Sequence, residues 1–424
     1  MNKTRETFVF GFALFSGFFG AGNLILPPLL GFKSGPDWWI VAIGFIITTT
    51  IIPLLSIFAH AKLQGTMYDF GKKVSPLFST IFCFVIYAIV IALPCPRTAA
   101  VTHEIAIAPN FGTSALLTSL LYFILVFIFV FNRSQVLNIL GKYLTPIIVL
   151  ILITIICVGI FSPLTEMNIS TFQTPLISGL LEGYQTYDAI AGLVTGGMVI
   201  VSINSFKTSL NFEEKKKMIS KSGIIAMGGL FIIYLGLIVI GAIYNKQFDT
   251  NISRTELLSG IALKTLGLIG STFLSVLVSL SCFTTAVAII VSIADFFKVY
   301  FKTFKNAYFY TTSFCCLVGI LIGQMDVKYI INIALPALMF IYPICIVLIL
   351  LNIMPEKMAS KLVFRCVVLI AFIFSIPDFL GFVFPTNNLE NLKSLIPLAN
   401  QNLGWVLPAF LTFILVNIFE KFKS

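Results

Sequence analysis

The chain has 424 residues, of which 58% are hydrophobic and 10% charged, with a mean hydropathy of +1.03. Soluble domains carry roughly a quarter charged residues, so the composition excludes a soluble globular protein and points to one built within a lipid bilayer. The net charge of +10 does not argue for a nucleic-acid partner, because the basic residues are distributed as membrane topology distributes them.

Apolar runs recur from end to end, and runs of about 17–25 such residues cross a bilayer as helices, since hydrocarbon offers no partner to an open backbone. Twelve are expected, near 8–30, 39–59, 76–94, 114–132, 143–162, 175–202, 223–244, 270–297, 308–324, 329–352, 363–384 and 404–420. With the N-terminus inside, most of the 27 Lys and Arg fall in inside segments. The outside loops and adjoining helix ends keep Lys33, Arg97, Lys246, Arg254, Lys264, Lys328 and Lys393. By the positive-inside rule both termini are cytoplasmic. The run EEKKK (213–217) reads as an anchoring loop on that side. The eight cysteines lie mostly in apolar runs without a CxxC pattern, as small hydrophobes do. HE at 103–104 lacks the second histidine of a zinc-protease motif. The first run is too long for a signal-peptide core and is expected to be retained.

That first run contains GAGN (20–23) and then Pro27–Pro28. Gly20 is the residue type that ends a helix in the left-handed conformation, Asn23 suits the N-cap of a second half, and the prolines would free the carbonyls of Asn23 and Leu24. A helix that stops and restarts in lipid survives only when buried or lining a cavity. Its restarted end would offer N–H groups to an anion and its frayed end carbonyls to a cation, as in secondary transporters. The alternative is close packing through the small pair Ser16 and Gly20. In the third run, Tyr87 either reaches a bound carboxylate or packs in the core.

A second interruption is expected in the sixth run, LEGYQTYDAIAGLVTGG (181–197). Gly183 can end one half there, and Thr186 or Asp188 can cap the next. Asp188 is costly at a helix centre, about 2.5–3.5 kcal/mol. It would cap the inner half, face a substrate ammonium or a coupling cation, or do both. Gly192 and Gly196 form a packing GxxxG, and Glu182 is an interfacial charge. In the eighth run Ser281, Thr285, Ala288 and Ser292 share one face, with Thr284 beside it. These hydroxyls either help bind sodium or bond their own helix carbonyls. Asp295 is a boundary charge. In the tenth run Pro336 should free the carbonyl of Asn332, making a gate or an ordinary bend.

FFGAGNLILPPLLG (18–31), EGYQTYDAIAGLVTG (182–196) and SCFTTAV (281–287) resemble the bacterial branched-chain amino acid carriers, a family of cation symporters within the amino acid–polyamine–cation superfamily. The similarity runs essentially the whole chain. It implies an all-α membrane protein of about twelve helices with a LeuT-type core. That core is five helices repeated with inverted topology, with helices 1 and 6 broken. The repeats would span 1–162 and 163–352, and 353–424 would add two peripheral helices. The implied activity is uptake of leucine, isoleucine and valine with Na⁺, or H⁺ in some members, across a bacterial plasma membrane, with no other cofactor.

Carried over on the motifs, Gly20, Ala21, Gly22 and Asn23 would surround the substrate, with the N–H groups of Ala21 and Gly22 on its carboxylate. The segment Gly183, Tyr184 and Gln185 would meet its ammonium. The carbonyls of Ser16 and Phe19 would join Ser281, Thr284 and Thr285 around one sodium ion. Asp188 departs from the superfamily pattern. The rival readings are a proton-coupled symporter or exchanger for other neutral amino acids, with Asp188 as proton acceptor, a membrane-embedded enzyme, and a channel. The enzyme would need paired acid, base or metal residues that two histidines do not supply. The channel would need a continuous polar stripe.

Overall fold

The computed structural model describes residues 3–131, 145–161, 167–206, 211–383 and 393–423. Among them the chain is helical throughout, without strands. Each of the twelve apolar runs is occupied by helix, although their lengths depart from expectation. Among the described residues six helices are long and apolar enough to cross a membrane by length and composition alone. Because the first run is split, its first half, Lys3–Phe18, falls below that length, while its second half continues into the span Ala21–Leu63.

The described helices are α1 (Lys3–Phe18), α2 (Ala21–Ser34), α3 (Trp38–Ile46), α4 (Ile52–Leu63), α5 (Met67–Gly71), α6 (Pro76–Ala92), α7 (Pro94–Thr102), α8 (Ala108–Phe111) and α9 (Ala115–Phe131). After them come α10 (Thr145–Ile160), α11 (Pro175–Glu182), α12 (Asp188–Phe206), α13 (Phe212–Ile243), α14 (Arg254–Tyr300), α15 (Ala307–Gly323), α16 (Val327–Ile353), α17 (Lys361–Val383) and α18 (Val406–Lys423).

Three departures bear on the site. First, the third run does not stop at residue 94. Pro94 opens α7, where its missing N–H costs nothing, and with the wide turn His103–Ile107 the span continues to Phe111. Its centre is therefore near Arg97 rather than Tyr87. Second, EEKKK is the first turn of α13, not a loop. Asn211 Oδ1 accepts from the Glu214 N–H at 2.9 Å and Glu214 Oε2 from the Asn211 N–H at 3.2 Å, a capping box. Third, the eighth run is part of a 47-residue helix bent at Gly267, whose φ of 61° is open to glycine.

Each broken helix docks through interleaved glycines. Gly31 of α2 faces the Ile238 carbonyl of α13, and Gly241 of α13 faces the Pro28 carbonyl of α2. Likewise Gly44 of α3 faces the Leu176 carbonyl of α11, and Gly179 of α11 faces the Val41 carbonyl of α3. Only a residue without Cβ lets backbones approach this closely. Helices α17 and α18 lie outside the core, α17 on α16 and α18 on α17. Leu117, Leu121, Ile124 and Ile128 of α9 are exposed, the outer face of a helix solvated by lipid.

Candidate functional site

The first break is short. α1 ends at Phe18, Gly20 is extended (φ −118°, ψ −163°), and α2 starts at Ala21. Gly20 is therefore not left-handed, and Asn23 is not the N-cap. Gly20 holds that position, and Asn23, three residues on, turns its Oδ1 back to accept the Gly20 N–H at 3.4 Å. A carboxamide can cap in either direction, which is why spacing alone misplaced it. Pro27 and Pro28 lie deeper inside α2 than expected.

The second break is longer. α11 gives way to a 3₁₀ turn, Gly183–Thr186, then Tyr187 in the left-handed region (φ 64°, ψ 14°), and then α12. Gly183 is right-handed (φ −60°, ψ −24°). Its missing side chain instead makes room for Thr48. The bulky residue at positive φ, an uncommon conformation, is Tyr187, whose ring lies 5.0 Å from the Arg97 guanidinium carbon. The carbonyls expected to meet an ammonium already hold donors. Gly183 accepts the Thr186 hydroxyl at 2.8 Å, Tyr184 the Tyr187 N–H at 3.1 Å, and Gln185 the Arg97 Nη1 at 2.9 Å. The Tyr184 ring stacks on Tyr342 with centroids 4.2 Å apart.

Asp188, 0% exposed, faces neither the central cavity nor a free N–H. Its Oδ1 accepts from Asn23 Nδ2 at 2.8 Å and its Oδ2 from the Tyr234 hydroxyl at 2.8 Å, and Asn23 Nδ2 also contacts the Tyr234 oxygen. The carboxylate thus ties together α2, α12 and α13, satisfying its two oxygens inside the protein.

At the other side of the first break, α14 supplies hydroxyls. Ser281 donates to the Phe19 carbonyl at 2.6 Å, and Thr285 lies 3.2 Å from both the Ser16 and Phe19 carbonyls. These four residues converge. The fifth, Thr284, turns back to the Ser281 carbonyl of its own helix at 2.9 Å, the local bond that hydroxyls make when they serve only packing.

A cavity of about 40 Å³ lies between the two breaks, near the volume share of one water, about 30 Å³. Ala21, Gly22, Asn23, Arg97, Thr186, Tyr187, Ile190 and Thr285 line it. Tyr87 does not. It packs on Phe296, 4.7 Å between centroids, in a separate cavity of 780 Å³ at the lysine-rich end beside Lys298, Lys302 and Lys305. Val194 lines both. Towards the opposite end the centre is closed by a polar layer. Arg254 Nη1 donates to Gln185 Oε1 at 2.7 Å, Gln185 Nε2 donates to Glu182 Oε2 at 2.7 Å, and Arg254 pairs with Glu182 at 3.7 Å. Among the described residues no cluster of metal-ligating His, Cys, Asp and Glu exists.

Two facing helix breaks, a cavity between them, and hydroxyls of a third helix on the carbonyls at the first break define a membrane transporter of the LeuT-type fold. Solved structures with that architecture are similar over nearly the whole chain. A Na⁺-coupled sialic acid symporter aligns with a TM-score of 0.60 at 12% identity, covering 97% of this chain and 90% of its own. MhsT in complex with L-phenylalanine gives 0.57 at 14%, with 97% of each chain covered. The Eremococcus coleocola manganese transporter gives 0.62 at 13%, covering 97% and 95%.

Residues 3–423 match the family of branched-chain amino acid transport proteins, and the chain belongs to that family. It is a transporter and not an enzyme. The branched-chain amino acid transport system 2 carrier protein of Pseudomonas aeruginosa is 30% identical, covering 99% of this chain and 97% of that one. The branched-chain amino acid permease BraB of Bacillus subtilis is 31% identical, covering 95% and 93%.

Arg97, Tyr234 and Arg254 are the site residues that sequence reading missed. By charge distribution alone Arg97 falls among the outside loops and adjoining helix ends, whereas the structure places it inside the extended third span. The small, apolar TAAV that follows, continuing the helix, was the available signal.

Proposed function

We propose that this protein imports leucine, isoleucine and valine by symport with Na⁺ across a bacterial plasma membrane, with both termini cytoplasmic. The observation that carries the sodium reading is the convergence of Ser281 and Thr285 on the Ser16 and Phe19 carbonyls. An ion there takes carbonyl oxygens from the end of α1 and hydroxyls from α14, and so couples the geometry of the first break to α14. The substrate carboxylate docks at the Ala21 and Gly22 N–H groups, and its ammonium at the unwound segment 183–187, whose carbonyls keep a second lone pair. The central cavity is too small for the side chain until the lining helices part, which fits loading by alternating access. One bundle, drawn from both five-helix repeats (1–162 and 163–352) and including the glycine-locked pairs α2–α13 and α3–α11, then rocks against the remaining scaffold. A charge crossing about 100 mV collects about 2.3 kcal/mol, roughly fifty-fold accumulation.

The test is binding of labelled leucine to purified protein at fixed pH, in Na⁺ and in choline. Sodium dependence is expected in the wild type and its loss in Thr285→Ala, whereas undiminished binding in choline overturns Na⁺ coupling. One methylene is worth about 1–3 kcal/mol in an apolar pocket, so the three amino acids should compete with one another and alanine weakly. Alanine as the best substrate in proteoliposomes would sink the pocket assignment.

A further inference from the structure

Arg97 is a buried charged side chain that forms no ion pair among the described residues, the Asp188 carboxylate acting on it only from beyond contact distance. It is 4% exposed, its Nη1 donates to the Gln185 carbonyl, its face lies on Tyr187, and its Nε is buried without a hydrogen-bond partner. Among the described residues no carboxylate lies within ion-pair distance of it, and both oxygens of Asp188 are engaged by Asn23 and Tyr234. Burying a cation without a counter-charge is expensive. The opposing wall makes this worse. The guanidinium sits against Gly22, in the space a Cβ would take, at the first turn of α2, where the Ala21 and Gly22 N–H groups point outward and the helix end carries about half a positive charge. Two positive groups therefore converge on one small cavity.

We infer that Arg97 is the cationic half of a carboxylate clamp, the α2 N-terminus being the other half, and that it selects amino acids by their carboxylate. This rests on the transport reading above. The shared chemistry is a small monovalent anion. The substrate carboxylate is the source assigned, and chloride is the rival. Glycine at position 22 is part of the device, because any side chain there would displace the guanidinium.

The experiment measures binding of leucine and of leucinol, which lacks the carboxylate, to the purified full chain. A charge-assisted hydrogen bond contributes about 1.5–3 kcal/mol, so Arg97→Gln should weaken leucine by about 10- to 100-fold while leaving leucinol within a factor of about 3, a difference under about 1 kcal/mol. Arg97→Lys should recover part of the loss. If Arg97→Gln does not purify as a folded protein, Gly22→Ala provides the same readout with the arginine retained. Unchanged leucine binding, or equal loss for leucine and leucinol, overturns the assignment. So does a leucine affinity that requires chloride when gluconate replaces it, since the clamp would then hold that ion. Wild-type protein that binds no branched-chain amino acid fails the transport reading itself, and the clamp with it.

Discussion

Asp188 shows what a single residue's surroundings change. From the sequence it was an intramembrane carboxylate in need of a partner, and the partners are real, but they lie 165 and 46 residues away, at Asn23 and Tyr234. No local pattern reports such distances, so capping and ligand contact were the only roles that spacing could suggest. Gly20 and Asn23 were legible as a break because glycine and a short polar side chain are local chemistry. Which of them caps was not, since that depends on a side-chain rotamer. The knot of three predicts its own energetics. Tyr234→Phe removes one donor from a buried carboxylate and should cost about 1–3 kcal/mol, read as a lower thermal midpoint in detergent. Asp188→Asn should cost a similar amount, because an amide cannot accept from two donors on both of its ends. Combined with Asn23→Ala, Tyr234→Phe should give less than the sum of the single effects, as expected for residues sharing one network. Full additivity would mean that the carboxylate does not link α2 to α13.

Among elements, the same reciprocal glycine contact fastens α2 to α13 and α11 to α3. The broken helices are thereby anchored along their continuous halves, leaving the breaks to open and close. The glycines were visible in the sequence as ordinary small residues. Their pairing was not, because it depends on which helices become neighbours. Hydropathy also hid the ends of elements. It placed the start of α13 near 223, although the capping box at Asn211–Glu214 was written in local residue types. It also ended the third run at its prolines and so moved the apparent centre onto Tyr87. Helix α13 contains its own control for the packing claim. Gly241 abuts the Pro28 carbonyl, whereas a Cβ on Gly228 meets nothing within 4 Å. Gly241→Ala should destabilise by about 1–3 kcal/mol through overpacking, while Gly228→Ala should be neutral or stabilising by up to about 1 kcal/mol on helix propensity. Equal thermal shifts for the two would refute the interlock.

For the whole molecule, the two ends are unequal. The central cavity shares Val194 with the 780 Å³ cavity at the lysine-rich end, while the Arg254–Glu182–Gln185 layer separates it from a 530 Å³ cavity lined by Thr250, Asp326 and Lys328. In the topology proposed above, the first side is the cytoplasmic one. Once the native cysteines are replaced, Ser292→Cys should react with an impermeant maleimide only from the side carrying both termini, and Thr250→Cys only from the other. The reverse pattern in oriented vesicles would invert the topology. The closing layer sets a second expectation. Its ion pair is partly exposed and so contributes only up to about 1 kcal/mol, enough to bias two states of similar energy without locking either. Glu182→Gln should therefore raise labelling of Ile190→Cys, in the central cavity, from the Thr250 side by about fivefold, the population shift that about 1 kcal/mol produces. A layer that merely fills space would leave that rate unchanged, and transport would then need a different outer gate.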